Sequence, residues 1–179
     1  ALGREILRKY EPWLKPRAQR VIYFVRRHPG MLVPPGNPLG IKTIKDIVRT
    51  KARFINRQRG SGTHLAFERM LQDQGIDRAE INGYYTEEFT HLAVAAAVAS
   101  GVADVGIGIE AAARRLKLDF IPLFLEDYYL LGKRETIERN DIENIVASLK
   151  SPKFAEQVRG IPGYDTTRTG EIANVSDVI

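Results

Sequence analysis

The chain has 179 residues, 44% of them hydrophobic, and 27 Lys and Arg against 22 Asp and Glu give it a formal net charge of +5. That length and apolar content suit one large domain or two small lobes and exclude a disordered segment. The absence of cysteine excludes disulfides, zinc–thiolate sites, iron–sulfur clusters and cysteine nucleophiles.

Three further readings narrow the classes. His28, His64 and His91 lack the three- or four-residue helical spacing of histidine metal pairs, so no metal site is expected. The longest apolar run, Leu92 to Ala99, is far short of the roughly 20 residues of a bilayer span. The stretch from Ala1 to Arg20 is rich in Arg and Lys without the apolar core of a secretion signal, and a segment preceding Ala1 is expected to have been removed. Charge is uneven: residues 1–59 hold 15 Lys and Arg against 3 Asp and Glu, the remainder 12 against 19. A basic segment of this kind contacts nucleic acid, binds small anions, or forms a solvated face that neutralises the acidic remainder. The spread of its cations over several elements favours the solvated face.

In chain order, Val21 to Val25 reads as a strand, His28-Pro29-Gly30 as a turn, and Met31 to Val33 as a second extended segment ended by Pro34-Pro35, a hairpin-like entry. Thr43 to Val48 reads as a short helix, Arg53 to Asn56 as a strand, Ser61 to Gln74 as a helix ended by Gly75, and Ile81 to Tyr85 as a strand. Thr90 to Ser100 is the clearest helix, with Thr90 as its cap and Gly101 at its end. Val105 to Ile109 (strand), Glu110 to Lys117 (helix), Phe120 to Leu125 (strand) and an extended Tyr128 to Leu131 follow. Asp141 to Lys150 and Ser151 to Arg159 are helices, and the tail from Gly163 is turn-rich. The alternation predicts an α/β fold with a mainly parallel sheet, where ligands collect beyond the carboxyl ends of strands.

The sharpest loop is Arg57-Gln58-Arg59-Gly60-Ser61-Gly62-Thr63, between a strand and a helix start. Gly60 and Gly62 let backbone N–H groups turn toward a ligand, the helix start adds partial positive charge, and Ser61 and Thr63 offer hydroxyls. The same residues equally serve an ordinary helix cap. No Gly-Lys-Ser/Thr follows, so this is not a nucleotide P-loop. A second helix start, Glu87-Glu88-Phe89-Thr90-His91, faces the same end of the sheet, with Thr90 either a donor or only a cap; Glu87 and Glu88 are expected to point away or pair with arginine. Gly106-Ile107-Gly108-Ile109-Glu110-Ala111 formally matches a dinucleotide fingerprint but falls on a late strand, where its glycines serve close packing. No Gly-x-Ser-x-Gly elbow supports a triad from Ser61, His64 or His91, and Asp104, and no catalytic residue is expected.

Gly36-Asn37-Pro38, Phe54 to Thr63, Thr90 to Gly101, Ala103 to Gly106 and Gly163-Tyr164-Asp165-Thr166 together resemble the periplasmic-binding-protein-like domains found fused to helix-turn-helix regulators and to molybdopterin-biosynthesis proteins. The likeness covers about residues 21–173. It implies a type II periplasmic-binding-protein-like α/β fold related to molybdate-binding proteins, a non-catalytic substrate-binding domain without a cofactor. Its ligand would be a small oxyanion, molybdate or tungstate, in a hinged cleft between lobes. By motif, Ser61, Gly62 and Thr63 are carried over as ligand contacts, Thr90 and Tyr128 less directly, with Arg57 and Arg59 either raising anion affinity or serving as surface cations. Residues 35–120 are expected to form a complete second lobe, and residues 1–34 with 121–179 a partial first lobe with the interlobe crossings. Much of that first lobe and one more ligand hydroxyl would be absent, so dimerisation or the absent segment would complete the site. The resemblance also implies a cytoplasmic role in transcription regulation or molybdenum-cofactor metabolism. The alternatives are an enzyme on the same fold, of dehydratase or phosphoribosyltransferase type, and a nucleic-acid-contacting module.

Overall fold

The computed structural model describes residues 11–178, and the first ten residues of the expected first-lobe remnant lie outside them. The chain divides into two compact units, one of Ala1–Arg27 with Leu125–Ile179 and one of His28–Phe124.

The His28–Phe124 unit is built on a five-stranded sheet in the order β4-β3-β5-β2-β6. Its strands are β2 (Pro29–Val33), β3 (Phe54–Arg57), β4 (Glu87–Glu88), β5 (Val105–Ile109) and β6 (Asp119–Pro122). Strand period two sorts their side chains onto two faces. Met31, Val33, Phe54, Val105 and Ile107 join one buried cluster with helices α1 (Ile44–Thr50) and α2 (Gly62–Asp73). Leu32 and Ile55 join the other with α3 (His91–Ala99) and α4 (Glu110–Arg115). The result is three layers, with helices closing both faces of the sheet.

In the other unit β1 (Gln19–Arg27) pairs antiparallel with β7 (Glu126–Lys133), β8 (Tyr164–Asp165) and β9 (Ile172–Asn174). Val21 and Tyr23 pack with Val175 and Val178. Ile22 packs oppositely among α5 (Arg134–Ile137), α6 (Asn140–Leu149) and α7 (Pro152–Arg159). Adjacent Glu126 and Asp127 each meet the arginine directly across the ladder, Arg27 at 2.8 Å and Arg26 at 2.7 Å.

Three expectations are corrected. No hairpin forms at residues 21–33: β1 and β2 belong to different sheets, and Pro29-Gly30 is extended strand paired with Ile109 and Gly108. Gly30 is there for close approach, since a Cβ would stand 2.2 Å from the Ile121 carbonyl oxygen. The sheet is mixed rather than mainly parallel, β2 running antiparallel to both β5 and β6. Residues 81–85 turn instead of extending: Ile81 and Tyr84 are the buried pair, three residues apart, and strand pairing resumes at β4. The His28–Phe124 unit holds β2 inside its sheet.

Candidate functional site

β3 and β4 are parallel neighbours, Asn56 opposite Glu87 and Arg57 opposite Glu88. Their carboxyl ends therefore lie about 4.8 Å apart, the spacing of paired strands. Beyond each a helix begins. The first turn passes through Gly60, whose φ of +88° suits glycine and whose surroundings are open. Ser61 then caps α2: its Oγ accepts from the His64 N–H at 3.2 Å, and its carbonyl accepts from the Leu65 N–H. At the second start Thr90 Oγ1 accepts from the Ala93 N–H at 3.0 Å. In both helices the first two N–H groups, those of Gly62 and Thr63 and of His91 and Leu92, have no acceptor within the helix, and the helix dipole adds partial positive charge there.

Thr63 is 2% exposed, Ser61 and Gly62 half-buried, Thr90 exposed. Arg57 is 8% exposed. Its guanidinium donates to the Phe89 carbonyl at 3.0 Å, lies 2.8 Å from His91 Nε2, and holds Gln58 Oε1 at 2.9 and 3.1 Å. Because guanidinium only donates, His91 Nε2 accepts and the ring proton of the neutral imidazole sits on Nδ1. Arg59 is exposed; its N–H donates to Glu87 Oε2 at 2.9 Å, and its side chain stands 3.9 Å from the same carboxylate. Tyr128 belongs to the other unit, on β7, its ring 4.6 Å from the Arg27 guanidinium carbon.

Residues that sequence reasoning passed over frame the site. The buried His64 ring brings Nδ1 to 2.9 Å from the Arg57 carbonyl, and buried Asn56 accepts from the Arg57 N–H while donating to the Tyr84 carbonyl. The one available signal was a histidine just inside each helix start. The glycines of the fingerprint-like stretch are packing positions: a Cβ on Gly106 would meet Val94 at 2.5 Å, and one on Gly108 would meet Leu32 at 2.9 Å. The serine–histidine–aspartate triad does not assemble. Ser61 Oγ takes a backbone N–H, and Asp104 lies at the opposite ends of β3 and β5, where Arg53 grips it at 2.6 and 3.0 Å and holds its carboxyl below the usual range. Among the described residues no group of three or more His, Asp or Glu is placed to hold a metal, and no helix is long and apolar enough to cross a membrane.

The protein YvgK of Bacillus subtilis strain 168 is 35% identical over 154 residues, which is 85% of this chain and 49% of that protein, so the chain spans about half of YvgK. The crystal structure of L-phospholactate-bound PEB3, a Campylobacter jejuni protein, is similar at a TM-score of 0.58 and 18% identity over 80% of this chain and 67% of that one. The tungstate ABC transporter structure from Geobacter sulfurreducens is similar at 0.56 and 14% identity over 88% and 74% of the two chains. These identities speak to the fold, a binding-protein architecture. The family model described as the PBP superfamily domain matches residues 3–150, and the chain belongs to that periplasmic-binding-protein-like superfamily.

Proposed function

We propose that this chain is a non-catalytic binding or sensing domain for a small oxyanion, with molybdate or tungstate the first candidates. The observation that carries the reading is the pair of helix starts at Gly62 and His91, side by side at the ends of β3 and β4. Four N–H groups without helical acceptors and two dipole ends there favour a compact anion without any lysine. Ser61, Gly62, Thr63 and Thr90 supply amides and hydroxyls in this reading, and Arg57 and Arg59 the surrounding positive charge. PEB3 with L-phospholactate and the tungstate transporter are both named for oxyanion-bearing ligands, which supports the ligand class. Both cap oxygens already serve backbone N–H groups, which suits holding an anion better than attacking one. A cytoplasmic place in a transcription regulator or a molybdenum-cofactor protein, with a fused module or a second copy completing the cleft, belongs to the same proposal.

Thermal unfolding with added anion tests it. Ligand bound only by the folded state stabilises by about 2.7 kcal/mol at 100 times Kd. Molybdate or tungstate should raise Tm at concentrations where sulfate and phosphate do not. No shift with any of the four anions refutes the reading.

A further inference from the structure

Arg57 touches both helix starts at once. Its carbonyl meets the buried His64 ring on the first turn of α2, while its guanidinium bonds the Phe89 carbonyl, one residue before the Thr90 cap, and the His91 ring at the head of α3. Gln58 Oε1 braces the same guanidinium from the loop leading to Ser61. A planar fork with several donors in fixed directions suits such a task, and a lysine ammonium does not. We infer that Arg57 is a positioning residue that locks the two helix starts into one anion-binding unit, with His91 as its acceptor. The inference rests on the oxyanion reading. It gives Arg57 a role distinct from supplying charge to the ligand: amides at Gly62 and Thr63 and amides at His91 and Leu92 converge only while the fork spans the two turns. Anion bound at one helix start is thereby coupled to the other.

The test follows two sets of backbone amides, Gly62 with Thr63 and His91 with Leu92, as sodium molybdate is added to the 15N-labelled full chain. Arg57→Lys, His91→Gln and His91→Leu are measured beside the unaltered protein. In the unaltered protein both sets should report one Kd. Arg57→Lys keeps the charge and loses the fork; it should weaken binding about tenfold, within the usual range of site-to-site coupling, and give the two sets different apparent Kd values. His91→Gln, whose Oε1 can accept where the ring nitrogen does, should keep a single Kd, whereas His91→Leu should behave like Arg57→Lys. The histidine pair carries the test should the lysine variant fold poorly. Arg57→Lys binding molybdate like the unaltered chain, or the two histidine variants behaving alike, overturns the inference in favour of a simple charge. Should the unaltered chain ignore molybdate, the oxyanion reading falls, and the strut is judged by its imidazole 15N spectrum. A neutral Nδ1–H tautomer of His91 that changes in Arg57→Lys supports the strut, and an unchanged spectrum refutes it.

Discussion

Gly30 and Gly60 are kept glycine by different forces, and substitution separates them. At Gly30 an added Cβ meets the Ile121 carbonyl oxygen at 2.2 Å and Phe120 Cζ at 2.8 Å, and the first of these is backbone of a paired strand that cannot swing away. Gly30→Ala should therefore destabilise at the upper end of the overpacking range, about 3 kcal/mol. Gly60 has nothing within 4 Å of its absent Cβ, and its φ of +88° is the whole cost, about 1 kcal/mol for alanine. Urea unfolding of the two variants checks the ranking, and equal losses would mean that the strand adjusts. His28-Pro29-Gly30 has turn composition, so sequence alone read a turn; only the passage of Ile121 beside it gives the glycine its purpose. Gly106 and Gly108 were read from sequence as close-packing positions, and their spacing answers to Val94 and Leu32.

At the scale of elements, what was legible came from side chains acting on their own backbone. The caps Ser61, Thr90 and Ser151 were readable because a short polar residue ahead of a helix can accept one of its unpaired N–H groups, and each accepts the N–H three residues on. Thr90→Ala should cost about 1 kcal/mol while Thr90→Ser costs little, read by thermal unfolding; equal stability of the two would deny the cap. The start of α1 offers a pH test. The Asp46 carboxyl is held far below its usual range, first by Arg49 and then by the Lys42 and Thr43 N–H groups and the Thr43 hydroxyl. A folded-state value below the unfolded one, near 3.9 in model peptides, makes the contribution complete above roughly pH 5 and lost as pH falls toward the folded value. Asp46→Asn should thus be less stable than the parent at pH 7, with the gap closing below roughly pH 4; a gap independent of pH would refute this. The stretch 81–85 was not legible, because β3 pairs with it around an inserted turn: Phe54 donates to Asn82 and Asn56 to Thr86, so the burial period there is three rather than two.

Across the whole molecule, the alternation of strands with helices was legible, while strand order stayed hidden. Nothing local makes β2 a partner of β5 and β6, or sets Arg57 beside a histidine 34 residues later. That pairing exists only because β3 and β4 are neighbours, which is why Arg57 read from sequence as one cation among many. The division of the chain has a sharper consequence. His28–Phe124 is continuous in sequence and holds apolar clusters on both faces of its own sheet, whereas the other unit is assembled from segments on either side of it. Residues 28–124 expressed alone should therefore fold, with one cooperative urea transition and dispersed amide resonances. Both helix starts and Arg57 lie within that span, so molybdate should still move the amides of Gly62, Thr63, His91 and Leu92. Tyr128 lies outside it. Fluctuating, non-cooperative unfolding of residues 28–124 would show instead that the two faces of this sheet depend on the rest of the chain.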